Sequence, residues 1–155
     1  MSEGPSVEPQ ALVPPELADR MDYLFCKVAE TLKRRADESF VEVGLRSNQH
    51  TLLRVLRAAG PLSQQDIALR LSVDPSTVLD QVDQLEARGL LTRTRNPADR
   101  RAYLVRLSDE GRRQLDVGDE RADSMQADLF AALAPGDAAR LHQLLKKLAA
   151  GLRPE

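Results

Sequence analysis

Between Gly89 and Ser108 the chain reads GLLTRTRNPADRRAYLVRLS, and this is the stretch whose apolar spacing asks for strands. Two short apolar runs, Leu90-Leu91 and Tyr103-Leu104-Val105 with Leu107, flank a polar tip at Asn96-Pro97. Apolar runs on either side of a turn-forming dipeptide are the pattern of a hairpin. A small hairpin cannot bury its own apolar face, so whatever precedes it must supply the core.

Two short segments of helical spacing precede it, each with its own start signal. Ser63-Gln64-Gln65-Asp66 places a capping hydroxyl three residues before an acid, and Ile67, Ala68 and Leu71 follow as a buried face. Ser72-Val73 reads as a turn. Asp74-Pro75 then offers an N-cap acid and a proline at the first helical position. Val78, Val82 and Leu85 line the inner face of this second helix, and Gly89 stops it. Two helices joined by a tight turn and followed by a hairpin is the order of a winged helix-turn-helix.

Charge is concentrated on the hairpin. Arg88, Arg93, Arg95, Arg100, Arg101 and Arg106 stand there against one acid, Asp99, in a chain of net charge −2. Bulk charge therefore points to no nucleic-acid partner, whereas its distribution points to phosphates.

The rest of the chain is patterned as helix. Hydrophobic residues make up 42% and aromatics 3%, so the core must be built from Leu, Val and Ala, which favours helices over a large sheet. Residues 1–15 carry four prolines and read as a flexible arm. From Glu16 the apolar residues Leu17, Met21, Leu24, Phe25, Val28 and Leu32 recur at spacings of three and four, and the charged run Arg34 to Glu38 ends that segment. A second helix is expected from Ser47 to Ala59, stopped by Gly60-Pro61. Ser108 caps a long segment to about Leu133, weakened by Gly111 and Gly118, and Pro135-Gly136 breaks it. A last helix carries Leu141, Leu144, Leu145, Leu148 and Leu152 on one stripe. The apolar terminal helices exceed what so small a domain can cover, and a second copy of the chain is the economical partner. The expected fold is mainly α with a small two-stranded β-wing. It divides into the arm (1–15), a dimerisation helix and connection (16–44), the DNA-binding lobe (45–107) and C-terminal dimerisation helices (108–152).

Several classes of function are excluded. One cysteine, Cys26, allows no internal disulfide and no cysteine-based zinc cluster. His50 and His142 lack partners at metal-ligand spacing, so no metal and no cofactor is expected. The N-terminus has no secretory pattern and no apolar run is long enough for a membrane span, which suggests a cytoplasmic protein. No glycine-rich phosphate loop, nucleophile elbow or HExxH motif is present, so an enzyme is not expected.

The run LSQQDIALRLSVDPSTVLDQVDQLEARGLLTRTRNPADRRAYLVRLSDEG resembles the MarR family of winged-helix transcription regulators. The most specific words are Asp99-Arg100-Arg101, then Leu104 to Ser108 and Gly111. The resemblance extends over about residues 16–152. It implies a homodimeric repressor that binds a pseudo-palindromic operator in double-stranded DNA. Asp74 to Arg88 would be the recognition helix, with Ser76, Thr77, Asp80 and Gln81 at the positions of groove contacts. Arg95, Arg100 and Arg101 would reach the DNA from the wing, with Asp99 bracing Arg101. An Arg fork suits a narrow, strongly negative minor groove when its side chain is held. The resemblance also implies a cleft for a small phenolic or aromatic-acid effector, near which Arg20, Arg46, His50 and Arg54 would lie. LFCKVA is similar to the surroundings of the reactive cysteine in the peroxide-sensing branch, although Phe40 stands where a supporting Tyr would be expected.

Two departures keep other readings open. Between Asp74 and Glu86 there are four acids and no Lys or Arg, which fits a winged helix used for protein contacts as well as one used for DNA. Cys26 leaves open a redox-switched repressor that senses peroxides.

Overall fold

The structure, a computed structural model, describes residues 12–97 and 102–152. Residues 1–11 of the expected arm therefore lie outside the described residues. Pro15–Leu17 form a single 3₁₀ turn, and helix α1 spans Met21–Glu42. Helix α2 (Ser47–Ala59), strand β1 (Leu62–Ser63), helix α3 (Gln64–Leu71) and helix α4 (Pro75–Ala87) follow. Strands β2 (Leu91–Arg95) and β3 (Tyr103–Leu107) form the wing, and helices α5 (Asp109–Phe130) and α6 (Asp137–Gly151) complete the chain.

The ends of these elements follow local chemistry. The Ser63 hydroxyl accepts from the Asp66 N–H at 3.1 Å, and the Ser108 hydroxyl accepts from the Gly111 N–H at 2.9 Å. Each satisfies one of the orphan donors of a helix start, worth about 1 kcal/mol. Asp74 occupies the N-cap of α4, but its side chain makes no capping bond. The turn from α3 to α4 is closed by Ser72 in the left-handed region, at φ 52°.

Three expectations are corrected. First, α1 starts five residues after Glu16, because Pro15 and the 3₁₀ turn precede it, and it runs on to Glu42. The charged run does not end it. Lys33–Asp37 and Arg34–Glu38 are i,i+4 pairs along its exposed side. Second, the wing has a third strand. Leu62 pairs with Val105 and Ser63 with Leu104, giving an antiparallel sheet in the order β1-β3-β2. Third, the two glycines of α5 are points of contact. A Cβ on Gly111 would lie 2.0 Å from the Leu90 carbonyl oxygen, and one on Gly118 would lie 2.8 Å from the His50 ring. Both sites need a residue without a side chain so that α5 can sit against the root of the wing and against α2.

The core gathers where these elements meet. Leu52 and Leu53 of α2, Ile67 of α3, Val78, Val82 and Leu85 of α4, Leu91 of β2, Val105 of β3 and Leu115 of α5 are fully buried. Each contributes about 1.5–3 kcal/mol of apolar burial. The terminal helices differ. Helix α6 buries no residue, and Leu144, Leu148 and Leu152 are 54%, 49% and 68% exposed. Met21, Phe25 and Val28 on α1 are exposed as well. No helix among the described residues is long and apolar enough to cross a membrane.

Candidate nucleic-acid interface

Helix α4 is anchored by Val78, Val82 and Leu85 and turns its other faces to solvent. Ser76, Thr77 and Asp80 are exposed there. Gln81 is not. It is 7% exposed, and its Oε1 has no hydrogen-bond partner among the described residues. The reason is helical phase: position 81 is three residues after Val78 and four before Leu85, on the inner face. That spacing was visible in the sequence and places Gln81 among core positions instead of groove contacts.

The acids of α4 are partly neutralised from the wing. Arg93, on β2, pairs with both Asp83 and Glu86, and its backbone N–H donates to Glu86 Oε1 at 3.1 Å. Burial opposes charge on the Arg93 guanidinium. Asp83 and Glu86 outweigh it and hold its pKa above the ordinary arginine value. Arg93 thus fastens β2 to the last turns of α4 and is committed to the protein. Among the described residues Asp80 has no ion pair, and it remains an acid on the exposed side.

In the wing, Thr92 faces Arg106, Arg93 faces Val105 and Arg95 faces Tyr103. The Arg95 guanidinium carbon stands 5.6 Å from the centre of the Tyr103 ring, within range of a cation–π contact. The Asn96 N–H donates to the Ala102 carbonyl at 2.9 Å, so the strands stay paired to the edge of the tip. Asp99, Arg100 and Arg101 lie outside the described residues.

Of the four residues expected around an effector cleft, His50 and Arg54 are brought together, on Asp119, and Arg20 and Arg46 are not. Arg20 caps the far end of α1 and pairs with Asp22 at 2.7 Å, with both side chains exposed. His50 is 5% exposed, its ring stacked on Phe40 at 4.5 Å and its Nε2 donating to Asp119 Oδ1 at 2.8 Å. It is a packed strut between α2 and α5, held there because Gly118 lets the ring approach. Arg54 stands 3.7 Å from the same carboxylate, and Arg57 bridges Asp116 at 2.7 Å and Asp119 at 3.2 Å. Arg46 lies apart from them, on the wall of an open cleft of about 490 Å³ between the end of α1, the start of α2 and α4. Arg88 lines that cleft too and was not foreseen as a member of it.

Cys26 is exposed on α1. Phe40, in the place of the expected tyrosine, is buried against His50. The two positions are about 21 Å apart along the helix axis, so one chain does not bring them together. Among the described residues no group of three His, Cys, Asp or Glu is placed to hold a metal ion.

The MarR family model matches residues 45–103, the segment from the α1–α2 connection to the first residue of β3. The curated repressor NicR of Pseudomonas putida is 27% identical over 144 residues, covering 93% of this chain and 91% of its own. The HTH-type transcriptional regulator YdgJ of Bacillus subtilis and a putative transcriptional regulatory protein for the hcr operon of Thauera aromatica, 28% and 30% identical, are spanned over 64% and 63% of their own lengths. Among solved structures, CouR from Rhodococcus jostii, described bound to p-coumaroyl-CoA, superposes with a TM-score of 0.75 at 28% identity, covering 92% of this chain and all of that one. BpsR of Bordetella bronchiseptica, described as regulated by 6-hydroxynicotinic acid, superposes with a TM-score of 0.76 at 26% identity, covering 88% and 98%. The helix pair α3–α4, the inward anchoring of α4 and the strand β2 pinned to it by Arg93 fall within the matched segment, and the chain belongs to the MarR family of winged-helix transcriptional regulators.

Proposed function

We propose that this chain is a cytoplasmic homodimeric repressor that binds a pseudo-palindromic operator in double-stranded DNA and is released by a small organic acid. The observation that carries the reading is the pairing of Arg93 with Asp83 and Glu86. The pairing offsets, with the single positive charge of Arg93, part of the negative charge that weighs against an approach of α4 to phosphates. It also sets the wing and the helix as one unit. Ser76, Thr77 and Asp80 would face the major groove, where an acid can accept from cytosine N4. Arg95, with Arg100 and Arg101, would meet the backbone and the adjacent minor groove.

The exposed apolar stripes on α1 and α6 support a second copy as partner. Two-fold symmetry would set the recognition helices about one DNA turn apart. CouR and BpsR are described with organic-acid-derived ligands, which supports the effector class. Nothing in the reading requires chemistry on a substrate. The protein would act by binding alone.

Selection of bound duplexes from a random library tests it. Two related half-sites about 10 base pairs apart are expected, with affinity falling steeply as salt rises. Failure to enrich any sequence, with weak salt dependence, would favour a protein-binding winged helix instead.

A further inference from the structure

We propose that Leu79 reads the 5-methyl group of a thymine in the major groove and so fixes one base of each half-site. This rests on the DNA-binding reading above and deepens it. Among the described residues Leu79 is the one large hydrophobic side chain of α4 that is exposed, at 44%. Val78, Val82 and Leu85 take the inner face and are fully buried. Ser76, Leu79, Asp80 and Asp83 recur at spacings of three and four and share the outer arc, where all four are exposed. Arg93 holds Asp83 and Glu86, the residues four and seven places beyond Leu79 on the same side of the helix. The wing is thus fastened at the C-terminal end of that stripe, and its N-terminal end stays open. Recognition helices set their N-terminal residues against base edges. Leu79 is the fifth residue of α4. Leu69 and Val73, the other exposed hydrophobic residues of the helix pair and its turn, line a separate cleft with Gln65 and Pro75.

The chemistry of the same arc narrows the base. Helix α4 holds no Lys or Arg, so it lacks the side chains that make the commonest contact to guanine O6 and N7. The Asp80 carboxylate, next to Leu79, only accepts, and guanine offers it acceptors in the major groove. Gln84 is the one exposed amide of α4, and its Oε1 already accepts from Gln49 Nε2 at 3.1 Å. It cannot make the paired donor and acceptor contact that selects adenine. Hydrogen-bond readout from α4 is left to Ser76, Thr77 and Asp80. The thymine methyl is the apolar feature of a base edge in this groove. A leucine on the outer arc meets it by taking both apolar surfaces out of water, an attraction that needs no positive charge. On a helix with three acids and no base, that contact carries specificity that a basic helix would take from guanine.

The test uses the full chain and the duplex that the random library yields. Each thymine of the half-site is replaced in turn by deoxyuridine, which removes the methyl group and keeps the base pair. Fluorescence anisotropy gives the affinities. At one thymine per half-site the parent is expected to weaken about fourfold, the worth of one buried methyl group. Leu79→Ala should bind the parent duplex more weakly and lose nothing further at that thymine. Leu79→Met, which keeps an apolar side chain of similar reach, should restore the sensitivity. Leu79→Ala should fold and assemble as the parent does, because Ala favours helix and the side chain lies outside the core. If every deoxyuridine substitution costs the parent and Leu79→Ala alike, Leu79 reads no thymine while DNA binding stands. A Leu79→Ala protein whose assembly changes in sedimentation velocity would place Leu79 in a protein interface and also overturn the reading of thymine. If the library yields no preferred sequence, thymine recognition falls together with sequence-specific binding.

Discussion

Nε2 of His50 lies 2.8 Å from Oδ1 of Asp119, joining α2 to α5 across 69 residues of sequence. The ring also stacks on Phe40 of α1, so three helices meet on one side chain. Asp119 keeps Arg57 and Arg54 as partners, whereas His50 has no substitute for Asp119. Replacing His50 by Ala removes buried ring contacts and a hydrogen bond to a charged group, an expected loss of about 2–4 kcal/mol. Asp119→Asn keeps an acceptor for the ring and should cost about 1 kcal/mol. Urea unfolding checks the order. An Asp119→Asn loss as large as that of His50→Ala would mean that the packing of the ring matters less than the charge.

Gly111 makes a sharper case. A Cβ there would stand 2.0 Å from the Leu90 carbonyl oxygen and 3.1 Å from Leu107 Cδ2. That carbonyl also accepts the Ser108 N–H at 3.1 Å, so it cannot move without opening the start of α5. Gly111→Ala should cost more than the roughly 1–3 kcal/mol typical of overpacking. Gly136→Ala, with nothing within 4 Å of its Cβ but φ at +92°, should cost about 1 kcal/mol through the backbone alone. Thermal unfolding of the two variants in parallel gives the comparison.

The contrast between these glycines explains what the sequence discloses and what it hides. Start and stop signals act within four residues, so α2, α3 and α4 were legible from Ser63, Pro75 and Gly60. Strand β1 has two residues and exists because Val105 and Leu104 lie beside it, which no local pattern reveals. Gly111 and Gly118 looked like weak points of α5 because their partners, Leu90 and His50, are distant in sequence. His50 and Arg54 looked available for a ligand for the same reason, since Asp119 is far along the chain. Gln81 is a different kind of miss. Its helical phase, three residues after Val78 and four before Leu85, is readable and points inward.

Arg93 is expected to matter for DNA without touching it. Arg93→Gln frees two acids, Asp83 and Glu86, on the recognition helix and loosens the wing. Operator affinity should fall at least as far as for Arg95→Ala, by about tenfold or more. Adding Asp83→Asn and Glu86→Gln should recover part of the loss, because the repulsion goes with the acids. Fluorescence anisotropy with a labelled operator measures all three. A loss that neutralising the acids leaves untouched would place Arg93 directly on a phosphate.

Acid should loosen the joint between α1 and α2. The Ser47 hydroxyl donates to the Asp37 carboxylate, with Lys33 Nζ 3.4 Å away. Ser47 first, and Lys33 after it, hold the Asp37 pKa below its ordinary value despite some desolvation. A carboxyl whose folded pKa is depressed stabilises the fold above its unfolded pKa of about 3.9 and loses that contribution as pH falls through the lower folded value. Stability should therefore decline below about pH 4, and Asp37→Asn should flatten that part of the profile. A variant whose pH profile matches the parent's would remove Asp37 from the acid response.

The apolar stripe of α6 should determine assembly. Leu144 and Leu148 are 54% and 49% exposed, and no residue of α6 is buried by the rest of the chain. A stripe that does nothing for the single chain can be changed without loss of core packing. Leu148→Glu would then leave the winged helix folded while placing a charge inside an interface between copies. Burying an unpaired carboxylate costs several kcal/mol, so the dimer dissociation constant should rise by about a hundredfold or more. Sedimentation velocity across a concentration series reads this directly, and circular dichroism confirms that helix content is kept. Operator binding should weaken in step, because one copy alone presents one recognition helix to one half-site. A Leu148→Glu protein that stays dimeric with unchanged affinity would place the interface elsewhere, on the exposed Met21, Phe25 and Val28 of α1.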